Sequence, residues 1–113
     1  MAKITIREAE GTWSVRADGA ILVESRKALV LSEDGLANVI YFPRKDVAMA
    51  FLDQTEHRTH CPMKGDASHF SIVTKSRTLD NAAWSYEDPI EGVAPIRDHI
   101  AFYANDDVTV ERI

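Results

Sequence analysis

A chain of 113 residues, 45% hydrophobic and 27% charged, has the size and composition of one globular domain, residues 1–113, that buries a core without disulfides. Its net charge of -5 and pI of about 5.3 argue against nucleic acid or an anionic membrane surface as partner. The start lacks the apolar core of a secretory signal, runs such as Ala28-Leu29-Val30-Leu31 are too short to span a bilayer, and the lone Cys61 has no internal disulfide partner; a cytoplasmic protein is expected.

The dominant hydrophobic period is two, the signature of half-buried strands. Ile4 and Ile6 alternate with Lys3, Thr5 and Arg7, and Trp13 and Val15 with Ser14 and Arg16. Asp18-Gly19 reads as a tight turn into a strand over Ala20-Ile21-Leu22-Val23, so the chain begins as a meander. A polar corner, Glu24 to Lys27, precedes a strand from Ala28 to Leu31; Glu33-Asp34-Gly35 then turns the chain into Asn38 to Phe42. Pro43 ends that strand because it cannot donate to a ladder. Val47, Met49 and Phe51 alternate again, and His57 to Cys61 leads into a loop at Pro62 to Asp66. Strands follow over His69 to Thr74 and Ala82 to Tyr86, with Lys75-Ser76-Arg77 at the hairpin end. Val93 to His99 is the one short helix predicted, limited by Pro95, before strands over Ile100 to Tyr103 and around Val108 and Val110. Many short strands at regular spacing predict an all-β domain of barrel or sandwich type.

Thr59 to Ser68 gathers the only cysteine, a histidine, a lysine and turn-forming residues. With Asn81 to Tyr86 it suggests a polar loop facing an aromatic strand. Trp84 and Tyr86, at i and i+2, share one strand face, and their polar handles suit a pocket wall as well as a core. Phe102 and Tyr103 face opposite ways, so one serves the core and the other the surface or cleft. Lys64-Gly65 offers an ammonium and a backbone N–H, and Arg26 and Arg44 offer guanidinium forks for a phosphate or carboxylate. Each of these charges also fits a solvated surface, and Gly65 fits a left-handed turn. Neither a Gly-x-x-x-x-Gly-Lys loop nor a Gly-x-Gly-x-x-Gly turn is present to cradle a nucleotide.

A reactive Cys61 would need a base or cation nearby, for which His57, His60 and Lys64 are the candidates; the alternative is a small buried anchor. His57, His60, Cys61 and His69 lack the paired spacing of a zinc site, so no metal and no cofactor are expected. The acids Glu33, Asp34, Asp46 and Asp106-Asp107 sit at predicted turns, and none forms the carboxylate pair that phosphoryl transfer around Mg²⁺ requires.

Several segments in order resemble the bacterial family called domain of unknown function 427 (DUF427), sometimes labelled nucleotidyltransferase-like. They are Ser25-Arg26 with Ala28 to Glu33, Tyr41 to Val47, Thr59 to Ser68, Asn81 to Tyr86 with Pro89, and Ile100 to Tyr103. The resemblance covers nearly all of the chain after its first strands. It implies a β-tent: two antiparallel sheets leaning together around an open cleft, a shape similar to methionine sulfoxide reductase B and the ligand-binding domain of cereblon. It implies no established activity. Relatives of that shape often hold zinc in paired Cys-x-x-Cys motifs, which a chain with only Cys61 cannot supply.

The reading that results is a small-ligand binding domain, the ligand small and anion-bearing, with Arg26, Glu33, Arg44, Cys61, Lys64, Gly65, Trp84 and Tyr86 as its candidate site. One alternative is an enzyme acting on a nucleotide or other phosphorylated metabolite, with Lys64 as electrostatic stabiliser and Cys61 or Glu33 reacting. Another is an interaction protein whose cleft is the interface of a homo-oligomer.

Overall fold

The computed structural model describes residues 3–113, which fold into two antiparallel sheets and short 3-10 turns. The strands are β1 (Ile4–Glu8), β2 (Trp13–Ala17), β3 (Ala20–Ser25), β4 (Leu29–Glu33), β5 (Val39–Pro43), β6 (Leu52–Cys61), β7 (Gly65–Val73), β8 (Thr78–Ser85), β9 (His99–Phe102) and β10 (Val108–Arg112). Seven of them form one sheet in the order β1-β4-β5-β9-β8-β7-β6, and three form the other in the order β10-β2-β3. The all-β expectation therefore holds. Among the described residues no helix is long and apolar enough to cross a membrane.

Period-two side chains divide the large sheet into two faces. Val30, Phe42, Phe70, Ala83, Ile100 and Phe102 face the small sheet, meeting Val15, Leu22, Val23 and Val108 in the main core. The opposite face carries Leu31, Tyr41, Ala67, Tyr86 and Ala101, covered by Val93 and Ile96. Phe42 and Tyr41 are neighbours in the chain, yet each is almost fully buried on its own side of the sheet.

The large sheet is nearly divided at its centre. β5 pairs with β9 through Phe42↔Ile100 and Pro43↔His99 alone. Val39 to Tyr41 instead continue along β4, opposite Leu31 to Leu29, while Ala101 and Phe102 continue along β8, opposite Trp84 and Ala83. The sheet consequently parts into a wedge between the start of β5 and the end of β9.

The turn chemistry explains the hairpins. Asp18 and Gly19 take φ of 51° and 80°, the left-handed pair that a two-residue hairpin with correct twist requires. Three expectations need correction. Val47 to Phe51 is not a strand: a 3-10 turn at Met49–Phe51 follows one at Arg44–Asp46. The alternation misleads because this segment crosses between the sheets, Ala48 N–H donating to the Leu22 carbonyl and Val47 bridging Val23, without a continuous ladder partner. Thr59 to Ser68 is not an extended loop; β6 and β7 pair right up to Cys61↔Gly65, leaving only Pro62, Met63 and Lys64 at the tip. The helix expected at Val93 to His99 is a 3-10 segment over Glu91–Ile96, kinked at Val93.

Candidate functional site

The β6–β7 hairpin folds back toward β4 and brings the tip lysine against a distant acid. Gly65 closes the hairpin with φ of 118°, and the Lys64 N–H donates to the Cys61 carbonyl at 3.1 Å. The tip is held from outside by the Ile90 N–H, which donates to the Lys64 carbonyl at 2.9 Å. So fixed, Lys64 Nζ donates to Glu33 Oε1 at 2.8 Å and lies 3.6 Å from Cys61 Sγ. Both side chains of the pair are only 11% exposed. Burial alone would lower the Lys64 pKa, but the Glu33 carboxylate and the neighbouring Cys61 outweigh it and hold the ammonium above its ordinary value.

Next to this pair lies a chamber of about 230 Å³ on the face of the large sheet turned away from the small one. Its walls include Tyr41, His69, Trp84, Tyr86 and Tyr103, with Glu33 and Lys64 among its polar groups. Strand register accounts for this assembly: His69 stands opposite Trp84, and Trp84 opposite Ala101, so alternate residues of β7, β8 and β9 deliver their side chains to one face. The indole of Trp84 lies 4.4 Å from the Tyr103 ring between centroids, meets Tyr41 edge-on at 6.3 Å, and donates from Nε1 to the Tyr41 hydroxyl at 3.3 Å. Burial pushes the Tyr41 phenol well above its usual range and raises Tyr86 as well.

His69 is the buried histidine of this wall. It is 1% exposed, its Nε2 lies 3.5 Å from the Tyr103 hydroxyl, and its Nδ1 has no hydrogen-bond partner among the described residues. Burial, reinforced by the His57 ring packed edge-on at 4.5 Å between centroids, lowers its pKa and favours the neutral imidazole.

A second, larger concavity of about 530 Å³ opens on the other side of the wedge between β5 and β9. Trp13, Val30, Ile40, Phe102 and Val110 supply apolar walls, and Arg7 is its charged side chain. Ala37, Val39, Trp84 and Tyr103 border both spaces, so the two chambers meet at the parted strands.

The structure brings together Glu33, Lys64, Trp84 and Tyr86 of the sequence-derived candidates. Cys61 and Gly65 stand behind Lys64 as its thiol neighbour and hairpin hinge. Arg26 and Arg44 do not line the chamber. Arg26 is exposed beside a polar corner with Glu24, Lys45 and Asp46, where the Ser25 hydroxyl donates to Asp46 at 2.6 Å. Arg44 pairs with Glu87 at 3.2 Å and lies over the Phe70 ring at 5.6 Å. Charge type grouped these arginines with Lys64; strand geometry separates them. Tyr41 and His69 were missed as wall residues, as was Arg7, whereas the Phe102–Tyr103 pair divides as expected, Phe102 in the core and Tyr103 at the chamber; the signal available for His69 was its i, i+2 spacing from Ala67 in a strand.

Among the described residues, no group of three or more His, Cys, Asp or Glu side chains is arranged to hold a metal ion. His60 is engaged instead with Asp66, at 2.7 Å on the exposed hairpin. The model of the family described as domain of unknown function (DUF427) matches residues 5–112. The chain belongs to the DUF427 family. No curated protein matches this DUF427 chain.

Proposed function

We propose that this DUF427 domain is a cytoplasmic, bacterial small-ligand binding module whose aromatic chamber takes a single planar ring bearing an anionic or acceptor oxygen. The observation that carries this is the convergence of five rings, from Tyr41, His69, Trp84, Tyr86 and Tyr103, beside the dehydrated Lys64–Glu33 pair. Aromatic walls favour a π-face, and a space of about 230 Å³ suits one ring better than a nucleotide. An ammonium has three donors; Glu33 takes one and the Cys61 sulfur lies near another, which leaves Lys64 a donor for a ligand oxygen. A reducing compartment suits a chain whose one cysteine has no disulfide partner.

The test is protein-observed NMR with nicotinate, benzoate and uracil, followed by titration against Lys64→Met, since Lys64 lines this chamber and not the second. Binding that shifts the Trp84 indole resonance and is lost in the variant supports the chamber; no binding of any of the three, or binding indifferent to Lys64, refutes it. Leu36, 63% exposed, and Tyr103, 46% exposed, stand at the mouth and favour a second reading, in which a copy of the chain covers the chamber. Concentration-dependent dimerisation abolished by Leu36→Glu would establish that reading.

A further inference from the structure

We propose that the second chamber is a separate binding site for a hydrophobic monocarboxylate, with Arg7 as the partner of the carboxylate. The register Arg7↔Val30 places the two side chains on the same face of the large sheet, over the apolar walls supplied by Ile40, Phe102 and Val110. The Arg7 guanidinium donates from Nη1 to the Ser32 hydroxyl at 2.9 Å, which orients the group and leaves other N–H donors unused. Among the described residues Arg7, Arg26, Arg58 and Arg112 make no salt bridge, whereas Arg16, Arg44, Arg77 and Arg97 each pair with a carboxylate, and of the unpaired four Arg7 is the one that lines this chamber. No acidic side chain among the described residues lines the chamber, so Arg7 meets no carboxylate there.

The chemistry of the occupant follows from that contrast. Apolar walls require an apolar body, and a single planar fork matches the two oxygens of one carboxylate. A phosphate monoester would bring more charge than one guanidinium neutralises and would set the remainder against apolar walls. A volume of about 530 Å³ falls in the range of small-molecule sites and bounds the ligand to a short acyl or aryl body. None of this uses Lys64 or Glu33, so the site does not depend on the ring-binding reading of the first chamber.

Trp13 and Trp84 both line the chamber and report its occupancy through their fluorescence. Octanoate, octanol and acetate are titrated into the full chain and into Arg7→Gln, Val110→Trp and Lys64→Met. Octanoate is expected to saturate the signal, with octanol weaker by roughly tenfold or more and acetate silent. Arg7→Gln should weaken octanoate by roughly the same factor while leaving octanol unchanged, and Val110→Trp should weaken both. Lys64→Met should leave octanoate binding as it is. Absence of saturable octanoate binding, equal affinity for octanoate and octanol, or an Arg7→Gln variant that binds octanoate like wild type would overturn the proposal. Because Arg7 is exposed on edge strand β1, the variant is expected to fold, and a matching circular dichroism spectrum checks that.

Discussion

Removing one member of the Lys64–Glu33 pair should cost far more stability than removing both. At 2.8 Å the attraction is about 6 kcal/mol for an effective dielectric of about 20, most of it offset by taking two charges out of water. Breaking a fully buried pair from one side costs about 3–5 kcal/mol; with both side chains 11% exposed and the chamber open at its mouth, about 2 kcal/mol is expected here. Glu33→Met should therefore lower Tm by about 8 °C in a domain of this size, because the ammonium stays buried without its counter-charge. Glu33→Met combined with Lys64→Met should recover to within about 1 kcal/mol of wild type. Urea titrations of the four members of this double-mutant cycle give the coupling directly. Additive losses, or a Glu33→Met cost under about 0.5 kcal/mol, would refute the idea that the pair is desolvated and interdependent. The pH dependence supplies an independent sign. A lysine raised in the folded state contributes fully below its ordinary value of 10.5, and that contribution is lost as pH rises through the folded value. The stability gap between wild type and Lys64→Met should accordingly close in strong alkali.

Two further outcomes follow from the turns. Asp18, held down to about 2 chiefly by its hydrogen bonds from Arg77 and Thr74, contributes stability that is present above its ordinary value of 3.8 and lost as pH falls toward 2. Urea midpoints of wild type and Asp18→Asn, which tolerates the left-handed backbone, should therefore differ at pH 5 and converge near pH 2. Gly65→Ala should cost about 1–2 kcal/mol, because φ of 118° is foreign to a side chain and its Cβ would sit 3.4 Å from the Asp88 carbonyl oxygen. Thermal melts measure this, and a variant as stable as wild type would contradict the strain.

Local chemistry made much of the fold legible. Asp18-Gly19 announced its hairpin because few sequences populate two left-handed residues in succession, and alternation along Asn81 to Tyr86 placed Trp84 and Tyr86 on one face. The site was legible only where a single strand carried it. Glu33 and Lys64 are 31 positions apart, and nothing in either neighbourhood specifies that a hairpin tip will fold onto β4. His69 joined the chamber through cross-strand register, which period-two patterning leaves undetermined. Arg26 and Arg44 show the opposite failure: like charge suggested a common site, and their separate elements sent them to different surfaces. Val47 to Phe51 failed because apolar alternation reports a buried face without reporting a ladder partner.

The two-pair connection between β5 and β9 also governs the gap that the two chambers share. The distance from Val39 to Tyr103 is set by how the two halves of the sheet are angled about Phe42↔Ile100 and Pro43↔His99, much as the opening of a pair of shears is set at its pivot. Residues at that pivot border neither chamber, yet the strand twist there sets the gap at which the two chambers meet. The width of the gap can thus drift through substitutions at Pro43 or His99, with every residue that lines it unchanged.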